Sequence, residues 1–328
     1  MTSTRPFTPR WQRALASLLA SAGLLAACGG GTSQYEPFVA ERFFAFGDDN
    51  SAITPVPAGN GRKYSVNGLG DDGNVDCRLQ PIWVQSVASV YGFAFAECNP
   101  ANVPEPQART FAAAGARVAD VAAQVEAAQV EVGGLRDKDL TTVLAGTNDI
   151  IDIYRLRYPG DGSIAVVSED VLLDIARERG KRLAQVANRI VELGGKVIIS
   201  GLPNVGLTPF ALKEKALHSD TDRAALLERL TNAFNEQLGV NILLDGRYVG
   251  LVQADLQFRA IVSSPGSYGF ANVTVGVCTV ALPACTTATL LPDANPAQYL
   301  WADDTRFSSG GHVQLAALAV DRAQRNPF

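Results

Sequence analysis

Histidine is nearly absent from this chain: 328 residues contain two, His218 and His312, beside one methionine and five cysteines. Few groups are therefore left for general-base chemistry near neutral pH, where histidine is the usual choice. No Cys-x-x-Cys spacing occurs, and with so few histidines a zinc site lacks ligands. Positive charge is in deficit as well. The 28 Lys and Arg face 33 Asp and Glu, a formal charge of −5, and no basic cluster forms, which argues against a nucleic-acid partner. No apolar run reaches the ~18 residues that cross a bilayer. Internal repeats, low-complexity segments and an interdomain linker are also missing.

Short strand-like runs alternate with helical periodicities, the pattern of an α/β fold around a mainly parallel sheet. Phe43-Phe44-Ala45-Phe46, Leu140 to Ala145 and Lys196 to Ser200 read as buried strands, and Asn241 to Gln253 as strand-rich. Helices are expected over Pro81 to Val90, Ala116 to Val130, Ser168 to Leu193, Asp220 to Leu238 and Gly310 to Arg325. Pro81 suits a helix start, Ser168 an N-cap and Gly194-Gly195 a stop. Arg117, Asp120 and Gln124 should share one polar face. Thr54 to Asp76, rich in Gly, Asn and Asp, reads as surface loop.

At the start of the chain, Arg5, Arg10 and Arg13 precede a short apolar run from Ala14 to Ala27, the form of a signal peptide. The run ends in Leu25-Ala26-Ala27-Cys28-Gly29, which resembles a bacterial lipoprotein box. That resemblance implies cleavage before Cys28, a diacylglyceryl thioether on its sulfur, and a place in the bacterial envelope. Glycine after the cysteine is similar to lipoproteins sorted to the outer membrane; the periplasmic face is the other address. Residues 28–40 then serve as a flexible tether, rich in Gly, Ser and Thr over 29–34, and 41–328 as a single domain. Loss of the three arginines leaves the 301-residue mature chain at −8. With Cys28 lipidated, Cys77, Cys98, Cys278 and Cys285 remain, which allows three pairings in a compartment that permits disulfides. The local pairing, Cys77–Cys98 with Cys278–Cys285, is expected because each pair brackets one compact segment.

Phe46-Gly47-Asp48-Asp49-Asn50-Ser51 follows the first strand, and the carboxyl ends of parallel strands are where α/β proteins display reactive groups. Ala114-Gly115-Ala116-Arg117, Gly146-Thr147-Asn148-Asp149 and Asp303-Asp304-Thr305-Arg306 follow in that order. Together the four resemble the blocks of the GDSL (SGNH) esterase and lipase family: Phe-Gly-Asp-Ser, a Gly block, Gly-x-Asn-Asp and Asp-x-x-His. Gly201 to Pro209 also looks like members of the family, and Tyr268 to Thr274 like its secreted members. The resemblance spans most of the mature chain. It implies an SGNH-hydrolase-like (flavodoxin-like) three-layer α/β/α fold, ester hydrolysis and no cofactor. At two positions the chain departs from the pattern: Asp49 stands at the nucleophilic serine and Arg306 at the catalytic histidine.

A serine nucleophile needs a base to take its proton, an acid to orient that base, and donors for the oxyanion. The resemblance assigns the donors to the backbone N–H of Asp49, to Gly115 and to the Asn148 amide, and the orienting acid to Asp303. Arginine cannot act as a base, but its rigid fork suits carboxylates, so an Asp49–Arg306–Asp303 ion network is expected instead of a triad. Two other readings stay open. One is an active ester hydrolase working through Asp49 or Ser51; the other is a non-catalytic envelope protein that uses only the scaffold. Ser51 otherwise reads as a helix N-cap, His312 lies six residues past the base position, and His218 reads as a solvated loop residue. A metal held by Asp48, Asp49, Asp303 and Asp304 would compete with Arg306. The expected ligand is an acyl ester or a glycan, and the membrane is engaged through Cys28.

Overall fold

Phe43 and Ala45 project to one side of the first strand, Phe44 and Phe46 to the other, and both sides are buried. A strand covered on both faces reads as a continuous apolar run, which is why it was legible in the sequence. The computed structural model describes Phe38–Phe328 apart from Pro57, and these residues form one compact unit. The signal segment, Cys28 and most of the tether lie outside the described residues. Five parallel strands, β1 (Arg42–Gly47), β2 (Ala108–Thr110), β3 (Asp139–Leu144), β4 (Lys196–Ser200) and β5 (Val249–Val252), stand in the order β2-β1-β3-β4-β5. Among the described residues eight α-helices surround them: α1 (Trp83–Val90), α2 (Val118–Glu131), α3 (Thr147–Arg155), α4 (Glu169–Glu192), α5 (Pro209–Leu217), α6 (Arg223–Asn241), α7 (Ala254–Ser263) and α8 (Ser309–Arg325). Residues of α2, α4 and α6 cover one face with Phe44, Phe46, Val197 and Ile199. Residues of α1, α7 and α8 cover the other with Phe43, Ala45 and Ile198. This is the three-layer α/β/α fold that the resemblance implied. A two-stranded parallel sheet, β6 (Asn272–Gly276) with β7 (Tyr299–Trp301), lies beside it.

Several sequence expectations need correction. Thr54 to Asp76 is not surface loop throughout: Lys63, Ser65, Val66 and Asn67 are fully buried. Their polar groups have partners, so burial carries no large penalty. Lys63 Nζ donates to the carbonyls of Cys77 (2.9 Å), Leu79 (2.5 Å) and Gln80 (3.1 Å). The Asn67 amide reaches the Cys285 carbonyl at 3.0 Å, and Ser65 Oγ the Phe307 carbonyl at 2.8 Å. Asn241 to Gln253 contains only the short β5, because α6 runs on to Asn241 and a turn precedes the strand. The first helix starts at Trp83, two residues after Pro81. Ser168 does cap α4, its Oγ accepting the Val171 N–H at 3.4 Å. Both local disulfides, Cys77–Cys98 and Cys278–Cys285, are present.

Candidate active site

Gly47 ends β1 with φ +143°, and a Cβ there would come 2.1 Å from the Leu144 carbonyl oxygen, so only glycine lets β1 and β3 close at this point. The Gln124 side chain of α2 clamps the same residue. Its Oε1 accepts the Gly47 N–H at 2.8 Å and its Nε2 donates to the Gly47 carbonyl at 2.9 Å. Gln124 thus points inward, not along the polar face with Arg117 and Asp120. From this fixed strand end the chain enters a 3-10 turn, Asp49–Ser51, capped by Asp48, whose Oδ1 accepts the Asn50 N–H at 3.1 Å.

Three other chain segments converge on the buried Asp49 carboxylate. Oδ2 accepts the Gly115 N–H at 2.8 Å and Asn148 Nδ2 at 3.1 Å. Oδ1 accepts Arg306 Nε at 2.8 Å. Arg306 Nη1 donates in turn to Asp303 Oδ2 at 2.6 Å, while Asp303 Oδ1 accepts the backbone N–H groups of Thr305 and Arg306 at 3.0 and 2.8 Å. Burial disfavours charge on Arg306, yet Asp303 and Asp49 outweigh it and raise its pKa further. Asn148 reaches its place because Gly146 (φ +128°) leads into α3 where a Cβ would meet the Phe234 ring at 2.8 Å. The amide also donates to the Ala116 carbonyl at 3.0 Å, which fixes the Gly115 turn against α3. Asn50, which the sequence did not single out, accepts the Phe307 N–H on Oδ1 at 3.1 Å and so ties the first block to the last.

Asp48 is buried next to this anion. Burial, with the Asp49 charge added to it, pushes its carboxyl up to about 8, and its Oδ2 has no hydrogen-bond partner among the described residues. Asp149 is buried too and accepts the Val118 N–H at 3.0 Å; burial raises its pKa against that bond. Asp304 turns outward to Lys213. The four acids considered for a metal are therefore divided between three ion pairs, two of them to Arg306, and a buried turn. Among the described residues no group of three or more His, Cys, Asp or Glu is placed to hold a metal ion.

The other nucleophile and base candidates have partners outside this network. Ser51 caps no helix; it is fully buried, with Oγ accepting Trp83 Nε1 at 3.1 Å. His312 is buried at the start of α8, and its Nδ1 accepts the Trp83 N–H at 3.4 Å. Burial, aided by the Lys63 charge, pushes it down to about 3. His218 follows the last residue of α5 as a half-exposed loop residue, as expected, 3.9 Å from Glu214. Beside the Asp49 network a cleft of ≈ 830 Å³ opens, lined by Gly115, Asn148, Asp303 and Arg306, with Ile151 and Phe210 among its apolar walls.

The model of the family described as GDSL-like Lipase/Acylhydrolase matches residues 43–318. The chain belongs to the GDSL-like lipase/acylhydrolase family. Solved structures similar to this GDSL chain include Axe2, an acetylxylan esterase from Geobacillus stearothermophilus, at 15% identity over 89% of this chain and 99% of that one, TM-score 0.43. A member of the lipolytic G-D-S-L family from Veillonella parvula is 14% identical over 87% and 98%, TM-score 0.41. An alpha/beta hydrolase from the metagenome of Lake Arreo, Spain, is 14% identical over 87% and 96%, TM-score 0.42. No curated protein matches the sequence.

Proposed function

We propose that this GDSL-family protein is an envelope lipoprotein, anchored through Cys28, whose ester-hydrolase site has become a closed ion network beside a ligand-binding cleft. One observation carries the reading: the Asp49 carboxylate already takes the Gly115 N–H and the Asn148 amide, two of the three donors the family pattern assigns to the oxyanion. An ester oxygen arriving there meets a resident anion. Removing one oxyanion donor costs ~10²–10³ in kcat. Loss of the triad leaves only ~10³–10⁴-fold acceleration over water. Arg306 holds the base position and cannot accept a proton. The cleft stays open to a ligand, an acyl ester or a glycan by analogy with the family.

Hydrolysis of p-nitrophenyl esters by three proteins tests this: wild type, Asp49→Ser with Arg306→His, and Asp49→Ala. Wild type should be silent and the double variant should gain activity, its donors freed and a base restored. Activity in wild type that Asp49→Ala abolishes would overturn the reading and make Asp49 a nucleophile.

A further inference from the structure

We propose that the bilayer carrying the Cys28 lipid lies against the end of the domain formed by Val240, Leu243 and Leu244, and that the cleft faces away from it. The inference rests on the lipid-anchor reading above.

All five strands are parallel, so the sheet has two distinct edges. Asp49, Gly115 and Asn148 follow the carboxyl ends of β1, β2 and β3, and the cleft opens there. Arg42, Asp139, Lys196 and Val249 open four of the strands at the opposite edge. About 16 Å of strand separates the two, at ~3.3 Å per residue over β1.

The chain enters at that opposite edge. Phe38, the first described residue, packs edge-on against the Phe328 ring at 5.6 Å. The end of the chain in turn rests on the turn before β5: Asn326 Nδ2 donates to the carbonyls of Gly246 (3.0 Å) and Val249 (2.8 Å). Immediately before that turn stand Val240, Leu243 and Leu244, exposed by 73%, 42% and 74%, and Val39 beside Phe38 is exposed by 68%. Single exposed apolar residues are ordinary. These lie at the end of the domain where the tether emerges. From Cys28 to Phe38 the chain spans at most about 35 Å, at ~3.3–3.6 Å per residue. The domain is therefore confined near the bilayer, and a weak apolar contact becomes an intramolecular event at high effective concentration. With that edge down, the cleft meets ligands from the aqueous side and not lipids of the same membrane.

The test uses the full, lipidated chain in phospholipid vesicles, with acylation of Cys28 read by mass spectrometry. Nitroxides are placed at Leu244→Cys and, in a second protein, at Thr305→Cys in the cleft. Collision rates with oxygen, enriched in the bilayer, and with an aqueous nickel chelate are compared. The label at 244 should favour oxygen several-fold over the label at 305, which should favour nickel. Leu243→Ser with Leu244→Ser, which changes two exposed side chains, should leave the chain anchored and its unfolding midpoint unchanged but make the 305 label more mobile. An acylated chain with both labels equally open to nickel overturns the inference and leaves the anchor reading intact. An unmodified Cys28 sinks the anchor reading itself.

Discussion

Asp48 and Asp49 are neighbours in sequence with opposite circumstances: one carboxylate has three donors, the other one backbone N–H. For Asp48 this has a pH consequence. Its folded pKa is about 8, against an ordinary carboxyl value of about 4. The native state therefore binds more protons than the unfolded state in that interval. Its contribution to stability is full below about pH 4 and is lost as pH rises toward 8. Asp48→Asn, which imitates the protonated form, should remove this fall. Urea midpoints of the variant minus wild type should increase from pH 5 to pH 8; a flat difference would assign Asp48 an ordinary pKa. His312 titrates in the opposite sense at lower pH, which is why the difference and not the raw curve is read. For Asp49, truncation to alanine leaves a part-buried guanidinium and two donors without their anion. Breaking such a pair costs about 3 kcal/mol. Asp49→Asn should cost less, and 100 mM formate should restore part of the alanine variant's stability and none of wild type's. Of these residues Asp49, Gly115, Asn148, Asp303 and Arg306 were legible through family blocks. Asn50 and Gln124 were not, since a lone amide carries no pattern until its partner's position is known.

Strands and long helices were the easiest elements to read, and the reason is burial. β1, β3 and β4 have neighbours on both faces, so their composition alone marks them, whereas β5 is four residues long and dissolved into a longer expectation. The helices α3, α5 and α7 were missed outright. The sequence 54–76 misled in the other direction: its polar residues look solvated because the carbonyls that satisfy Lys63 come from 77–80. The junction of β1 and α2 is where an element-level prediction belongs. Gln124→Ala removes both bonds to Gly47, each worth about 0.5–1.5 kcal/mol, so a loss of about 2 kcal/mol in denaturant unfolding is expected. Gln124→Glu keeps one acceptor and should lose less. Equal losses would mean that the Nε2 donor, and not the bond to the Gly47 N–H, fixes the strand end.

Across the whole molecule, the central sheet joins distant parts of the chain, Arg42 with Asp139 and Val197 with Val249. The two disulfides join near neighbours, separated by 21 and 7 residues. These separations set an order of assembly. Short loops close quickly, while a parallel sheet waits for long ones and folds slowly. A chain emerging reduced into an oxidising compartment should therefore form its correct cystines before its sheet exists. In oxidative refolding, trapped intermediates should carry Cys278–Cys285 and Cys77–Cys98 ahead of native near-UV signal, with mispaired species rare. Abundant long-range pairings early in the reaction would contradict this order. Maturation of this protein would then depend on an oxidant more than on a disulfide isomerase, because the geometry of its sequence leaves little to reshuffle.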